Sequence, residues 1–96
     1  MNSPLMIVFE EGEARPYFRC ERCEQPITKA EDALVQWERG AREQKTACTA
    51  HVLHKNCAPH TPGTPWEELS RSITFLLKNT GYNPKSPLAT PYGVAP

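Results

Sequence analysis

The start of the chain alternates between short apolar stretches and a polar turn. Residues 5–9 form a β-prone apolar run, and residues 11–13 (Glu-Gly-Glu) offer a turn. Residues 15–19 can then return as a second strand. This pattern predicts a β-hairpin that brings Cys20 to the end of its second strand.

A second pair of strands is predicted in the middle of the chain. Residues 33–37 form an apolar run, and residues 38–44 are charged, contain Gly40 and are expected to form an exposed loop. Residues 46–53 are expected to return as a strand. Strict alternation along this segment would place Cys48, Ala50, Val52 and His54 on one face.

The last apolar pattern has the period of a helix. Residues 58–65 contain three prolines and should be a connector. Thr64 as N-cap, Pro65 in the first position and Glu67 three residues after the cap form a predicted capping box. One apolar stripe follows, formed by Trp66, Leu69, Ile73, Leu76 and Leu77. Gly81 is expected to end the helix in the left-handed conformation.

These elements divide the chain into two parts. Residues 1–82 are expected to form one folded domain. Residues 83–96 are rich in proline and lack apolar periodicity, so they are expected to be a flexible tail.

Composition limits the class of protein. The chain has 96 residues, of which 39% are apolar, and its formal charge is zero because eleven basic residues balance eleven acidic ones. A nucleic-acid-binding protein usually has a basic excess. No apolar run is long enough to span a bilayer, which predicts a soluble cytoplasmic protein. Thiols stay reduced in that compartment, where close cysteine pairs typically bind metal.

Two short motifs carry the candidate chemistry. Cys20-x-x-Cys23 and His54-x-x-Cys57 are separated by thirty residues. Ligands at this spacing form a tight turn, called a knuckle, whose side chains converge on one ion, and two knuckles supply the four ligands of tetrahedral zinc. The sequence therefore predicts a structural Zn²⁺ site, which would stabilise a domain with a small core.

Other residues could replace a ligand of this set. Cys48 is interpreted as a small buried core residue, His51 as an exposed or hydrogen-bonded strand residue, and His60 as a solvated one. His51 and His60 are the substitutes should His54 not bind. A pair of buried thiols, a disulfide or a redox motif are the remaining alternatives, although no thioredoxin-like strand–helix pattern surrounds Cys20.

The two motifs lie in residues 18–27 (Phe-Arg-Cys-Glu-Arg-Cys-Glu-Gln-Pro-Ile) and 53–57 (Leu-His-Lys-Asn-Cys). These two segments resemble the first zinc module of LIM domains and, more broadly, a treble-clef zinc finger. The resemblance covers residues 18–58. It implies that the four motif residues are zinc ligands and that the module binds protein or nucleic acid. The loop between the pairs is longer than is usual in LIM modules, no second zinc module follows, and Pro59 and Pro62 interrupt the helix that a treble clef begins here. A zinc ribbon is the alternative.

The expected fold class is therefore α+β, a small zinc-stabilised domain with two β-hairpins and one C-terminal amphipathic helix. The expected function is a binding or adaptor module, not an enzyme, because three cysteines and a histidine leave no open metal position. A treble-clef nuclease with His51 as its base is a less favoured alternative.

Two surface features bear on partners. Phe75 lies nearly opposite the apolar stripe of the helix, so this side could dock on a protein partner or on a second copy, or could pack under Tyr82. Arg15, Arg19 and Arg22 could form a small nucleic-acid patch. A charged rim is the favoured interpretation, because several glutamates surround these arginines.

Overall fold

A computed structural model describes residues 3–45 and 47–85. These residues form two three-stranded antiparallel sheets, one long α-helix, one short α-helix and a 3-10 turn at Ala30–Asp32. The first sheet has the order β1-β2-β3 and consists of Leu5–Glu10, Glu13–Arg19 and Pro26–Ile27. The second has the order β5-β4-β6, with Ala33–Trp37 as the central strand β4 between Ala50–His54 (β5) and Trp66–Glu68 (β6). The α+β class is confirmed.

The first predicted hairpin is confirmed. Glu10 of β1 pairs with Glu13 of β2, so Glu11 and Gly12 form a two-residue turn. Both turn residues have positive φ, 52° at Glu11 and 78° at Gly12, as a type I′ turn requires. Strand β2 ends at Arg19, directly before Cys20. The sequence does not predict the two-residue strand β3, since Pro26 has no N–H to donate to a ladder.

The second predicted hairpin needs correction at its turn and at its return strand. Residues 38–44 are not a loop throughout, since Ala41–Gln44 is a short helix, α1, preceded by Gly40 with φ 89°. Strand β5 begins at Ala50, not at position 46, which lies outside the described residues. Cys48 therefore precedes the strand and is exposed, so its interpretation as a buried core residue is wrong. Val52 and Leu53 are both buried, so β5 packs on both of its faces.

The predicted start of the long helix is wrong. Trp66–Glu68 is strand β6, and the helix α2 is Leu69–Asn79, with Glu68 in extended conformation as its N-cap. One edge of β4 is not used by β5, and β6 pairs with it: Gln36 pairs with Trp66, and Leu34 pairs with Glu68. Local capping signals are weak compared with pairing to a sheet edge, so tertiary pairing overrides the capping box.

The predicted end of the helix is confirmed. Gly81 has φ 70°, and its N–H donates to the carbonyl of Lys78 at 3.2 Å. The N–H of Tyr82 donates to the carbonyl of Leu77 at 3.0 Å. This pair of bonds is the Schellman motif, which satisfies helix carbonyls that would otherwise lack a partner.

The hydrophobic core is small and lies between the two sheets and the start of α2. It consists of Cys20, Ile27, Ala33, Leu34, Val52, Leu53, Ala58 and Leu69. Leu69 is 2% exposed, whereas Leu76 near the other end of α2 is 50% exposed. Of the predicted apolar stripe, Leu69 is buried and Ile73 is partly buried against the core, whereas Trp66, Leu76 and Leu77 are exposed.

Two further expectations concern the C-terminal segment and the ability to span a membrane. The predicted flexible tail, residues 83–96, falls mostly on residues 86–96, which lie outside the described residues, and the 1–82 boundary stays a prediction. Within the described ranges, neither helix has the length and apolar character needed to cross a bilayer.

Candidate metal centre

The first knuckle lies at the turn between β2 and β3. The N–H of Cys20 donates to the carbonyl of Gln25 at 3.0 Å, and the N–H of Glu24 donates to the carbonyl of Cys20 at 2.9 Å. Glu24 has φ 65°, so the backbone turns sharply just after Cys23. Strand pairing of Arg19 with Pro26 fixes both ends of this turn. Cys20 and Cys23 consequently point to the same side.

The second knuckle follows β5. His54 is the last residue of the strand, and the next residues form a single helical turn. The N–H of Cys57 donates to the carbonyl of His54 at 2.9 Å, and the N–H of Ala58 donates to the same carbonyl at 3.1 Å. Ala58 is buried in the core, and Pro59 ends the turn because it has no N–H to continue it. The predicted interruption of a helix by Pro59 is thus confirmed.

Three hydrogen bonds connect the first knuckle to β5 and to the second knuckle. The N–H of Glu21 donates to the carbonyl of Val52 at 2.9 Å, and the guanidinium of Arg22 donates to the carbonyl of Cys57 at 3.0 Å. The backbone N–H of His54 donates to the sulfur of Cys20 at 3.4 Å. Each bond spans about thirty residues of sequence or more. The first knuckle is therefore held directly against β5 and the second.

The side chains of Cys20, Cys23, His54 and Cys57 form one group. Their ligand atoms all lie within 4.8 Å of one another, and the sulfur of Cys23 is 3.3 Å from Nδ1 of His54. In tetrahedral zinc sites the bond lengths imply ligand–ligand distances of about 3.5 to 3.8 Å. The group is thus compact enough to hold a single metal ion.

The three cysteines of the group differ in solvent exposure and in pKa. Cys20 is 0% exposed, whereas Cys23 faces solvent. Desolvation raises the pKa of the Cys20 thiol, but hydrogen bonds from the backbone of Cys23, His54 and Arg22 outweigh it, and the pKa falls from 9.0 to about 6. Desolvation and contacts with the Cys20 and Cys23 sulfurs raise the pKa of Cys57 to about 11. Three thiols this close do not all ionise without a cation among them.

The donor set fits a borderline-soft divalent metal. Three sulfurs and one imidazole nitrogen suit Zn²⁺, whereas hard cations such as Mg²⁺ and Ca²⁺ prefer oxygen ligands. Side chains of these types lie close together around one point, as the two motifs predicted. The group is consistent with a zinc-finger-like module.

The three substitute ligands lie outside this group. Nδ1 of His51 is 2.6 Å from the carboxylate of Glu21, as expected for a hydrogen-bonded strand histidine. His60 is exposed in the proline-rich connector, beside a cavity of about 530 Å³ that Trp66 also lines. Cys48 is exposed before β5. None of the three is needed to complete four ligands.

The arginines of the proposed nucleic-acid patch are engaged within the chain. Arg15 lies 3.3 Å from the carboxylate of Glu10. Arg19 pairs with Glu24, and Arg22 contacts the carbonyl of Cys57. This arrangement matches a charged rim, and no cluster of unneutralised arginines results at this site.

Comparison with protein-family models, with curated proteins and with solved structures finds no match. The resemblance to LIM domains and to treble-clef fingers therefore stands on the ligand motifs alone.

Sequence reasoning missed the contacts that join the knuckles. Arg22 was assigned to a possible nucleic-acid patch, yet its guanidinium holds the second knuckle through the Cys57 carbonyl. Its position between two cysteines was visible in the sequence, but its partner lies 35 residues away. No local pattern identifies such a contact.

Replacing Arg22 by alanine is expected to weaken the link between the knuckles. The loss should be about 1 kcal/mol of unfolding free energy, because the bond is charge-assisted but exposed. Urea unfolding of the zinc-loaded protein measures it, with Arg42→Ala on the exposed surface of α1 as the matched control. Equal midpoints for the two variants would contradict this role of Arg22.

Proposed function

We propose that this chain is a structural-zinc module that binds another protein. The observation that carries the proposal is the group of Cys20, Cys23, His54 and Cys57, whose ligand atoms lie within 4.8 Å of one another. Four protein ligands complete a tetrahedral coordination shell and leave no position for substrate or water. The metal in this proposal is Zn²⁺, and its role is to hold the two knuckles together.

The fold we propose around the metal is a treble clef. The first knuckle at a hairpin turn and the second at the start of a single helical turn agree with that arrangement. In this interpretation the prolines after Ala58 cut the helix of the second knuckle short. The core supports the structural role of the metal, because it contains one ligand, Cys20, and only a few large side chains.

Protein binding is the favoured use of the module because large apolar side chains remain uncovered. Phe9 is 77% exposed, and Phe75, Leu76 and Tyr82 are also exposed. Exposed apolar clusters in small domains commonly mark interaction surfaces. Nucleic-acid binding is less favoured, because the net charge is zero and Arg15, Arg19 and Arg22 are engaged within the chain.

The metal part of the proposal is tested by elemental analysis and native mass spectrometry of the purified protein. We expect one zinc per chain and four reduced cysteines. A folded, metal-free protein, or a mass two hydrogens lower than that of the reduced chain, would contradict it.

The binding part is tested by placing a photo-crosslinking amino acid at position 75 in the cells that make the protein. We expect adducts with protein at position 75, and none with the same amino acid at position 43 on the exposed surface of α1. Adducts with RNA or DNA instead would favour the nucleic-acid alternative and overturn this part of the proposal.

A further inference from the structure

Strand β1 lies at the edge of the first sheet. It pairs with β2 on one side, over six consecutive residues without a bulge. The sheet order β1-β2-β3 leaves its other side without a neighbouring strand among the described residues. A strand in this position presents a row of backbone N–H and carbonyl groups that can pair with another chain. The outer side of β1 is therefore a candidate interaction surface, and its recognition groups belong to the backbone.

The register of the hairpin decides which backbone groups of β1 point outward. The N–H of Arg19 donates to the carbonyl of Pro4 at 2.9 Å, and these two residues continue the register of the β1–β2 pair. In an antiparallel pair, opposite residues that exchange hydrogen bonds alternate with opposite residues that do not. The N–H and carbonyl groups that point away from β2 are therefore those of Leu5, Ile7 and Phe9.

The positions of two prolines agree with this assignment. Pro16 is opposite Ile7, in a pair that exchanges no hydrogen bonds, so β1 does not need the N–H that proline lacks. On the other side of β2, Pro26 is opposite Arg19. Because the N–H of Arg19 points to β1, this pair also needs no donor from proline.

Most of the outward groups of β1 have no partner. The N–H of Leu5 donates to Oγ of Ser3 at 3.2 Å. Within residues 3–45 and 47–85, the carbonyl of Leu5 and both backbone groups of Ile7 and Phe9 make no hydrogen bond. Three donors or acceptors in the middle of the strand and two at its ends are thus available to a second strand.

The other described strand edges are short or blocked. Strand β3 has two residues and begins with a proline, and β6 has three residues. On the outer side of β5, the carbonyl of Val52 already accepts the N–H of Glu21. Short edge strands, prolines and covering contacts are the usual protections against pairing between sheets. Strand β1 has none of them, and residues 5–9 carry no charge.

We propose that β1 of one copy pairs antiparallel with β1 of a second copy, around a two-fold axis at Ile7, so that two three-stranded sheets become one sheet of six strands. This inference rests on the proposed function as a protein-binding module, and it names one partner as a second copy of this chain. The contact uses the sheet edge and is separate from the helix α2.

One register satisfies the outward groups. Ile7 lies opposite Ile7 of the second copy, and the two residues exchange two hydrogen bonds. Phe9 lies opposite Leu5 of the second copy, and its N–H donates to that carbonyl. The two-fold axis repeats this bond at the other end of the strand. The side chains in this register are also matched, because Met6 lies opposite Val8 and every pair from position 5 to position 9 is apolar.

The acidic residues of the hairpin select this orientation and this partner. In the proposed register Glu10 lies opposite Pro4 of the second copy, and Glu11 lies opposite Ser3 of the second copy. Parallel pairing would instead place Glu10 and Glu11 beside their own copies, and like charges in that position are destabilising. The strand beside β1 must therefore be apolar and must carry no acidic residue at its N-terminal end. Strand β1 itself meets both conditions.

A contact of this kind closes on itself. After pairing, neither copy keeps a free β1 edge, so the assembly ends at a dimer with two-fold symmetry. A single strand edge buries a small area compared with a standard protein interface. We therefore expect reversible association in the micromolar range.

Two opposite charges at position 7 test the contact in the full-length zinc-loaded protein. Ile7→Lys and Ile7→Glu each place like charges directly opposite each other at the two-fold axis, which should raise the dissociation constant of the dimer about tenfold or more. Ile7 is 51% exposed, so the fold and the zinc content should not change. Ala14→Lys is the matched control, because Ala14 is exposed and lies opposite Phe9 on β2, one strand away from the edge.

Sedimentation velocity over a wide concentration range gives the first outcome. The wild type and Ala14→Lys should form dimers, whereas Ile7→Lys and Ile7→Glu should each be largely monomeric at the same concentration. An equimolar mixture of Ile7→Lys and Ile7→Glu should form dimers again, because a lysine then faces a glutamate. Failure of the mixture to associate would show that position 7 does not face its own copy, which overturns the register.

Amide hydrogen exchange of the wild type gives a second outcome that needs no variant. The N–H groups of Met6 and Val8 bond to β2 and should be protected at every concentration. The N–H groups of Ile7 and Phe9 should be protected only when the dimer forms. Dimers in which these two amides still exchange freely would overturn the edge contact.

The remaining outcomes separate this contact from the proposed function. A wild-type protein that binds one zinc per chain and stays monomeric up to about 1 mM overturns the edge contact and leaves the zinc module standing. Dimers that resist both substitutions at position 7, or assemblies that grow beyond the dimer, also overturn it. Absence of zinc from the folded protein would instead overturn the proposed function.

Discussion

Replacing Cys20 by serine is expected to unfold the domain. Cys20 is the ligand that is both fully buried and part of the core, and the backbone of the second knuckle hydrogen-bonds its sulfur. A serine oxygen is a poorer zinc ligand and would leave a polar group in an apolar site. Structural zinc sites in small fingers supply about 10–16 kcal/mol of apparent binding free energy, which matches or exceeds the whole stability of a typical domain.

The matched control is Cys48→Ser, the same chemical change at an exposed cysteine outside the ligand group. Circular dichroism during heating and zinc content per chain are the measurements. We expect Cys48→Ser to keep one zinc and a cooperative thermal transition, and Cys20→Ser to lose both. Chelation of the wild type should reproduce the behaviour of Cys20→Ser. A cooperative transition in Cys20→Ser at the wild-type temperature would show that the metal does not hold the fold.

The sequence predicted best those features that are encoded by neighbouring residues. The predicted turn after the first strand and the predicted left-handed Gly81 at the end of α2 both depend on backbone conformations that a few local residues favour. The ligand group was also predictable, because a spacing of two residues between ligands converges them locally. Only the approach of the Cys20–Cys23 pair to the His54–Cys57 pair could not be predicted from local spacing, because it depends on the fold.

The errors at the capping box and at Pro26 share one physical cause, which is pairing to the edge of a neighbouring strand. Thr64 and Glu67 form a good capping box, but the free edge of β4 recruits residues 66–68 into a strand. Pro26 does not prevent pairing with Arg19, because β3 is a short edge strand that needs few donors. Cys48 is apolar enough for a core, but strand β5 starts two residues after it. Local propensity cannot anticipate where a sheet edge is available.

The exposed half of α2 illustrates the same limit. Helical periodicity predicts the apolar stripe from Trp66 to Leu77, but it does not predict how much of that stripe meets the core. Only the start of the helix meets the core. The stripe continues beyond this support, so Leu76 and Leu77 stay exposed.

Replacing Leu69 by alanine is expected to cost about 2–5 kcal/mol of unfolding free energy, the range measured for buried leucines. Leu69 is 2% exposed and is the largest fully buried side chain of the described residues. It anchors the first turn of α2 against the core, where no other residue of the helix is buried. Because the core is small, the cavity left by the three missing side-chain carbons cannot easily be filled by rearrangement.

Leu77→Ala is the matched control, since it makes the same substitution in the same helix at an exposed position. Urea unfolding of both variants with zinc bound should give a much lower midpoint for Leu69→Ala and a change of about 0.5 kcal/mol or less for Leu77→Ala. Equal destabilisation by both substitutions would mean that α2 is anchored along its whole length and not only at its first turn.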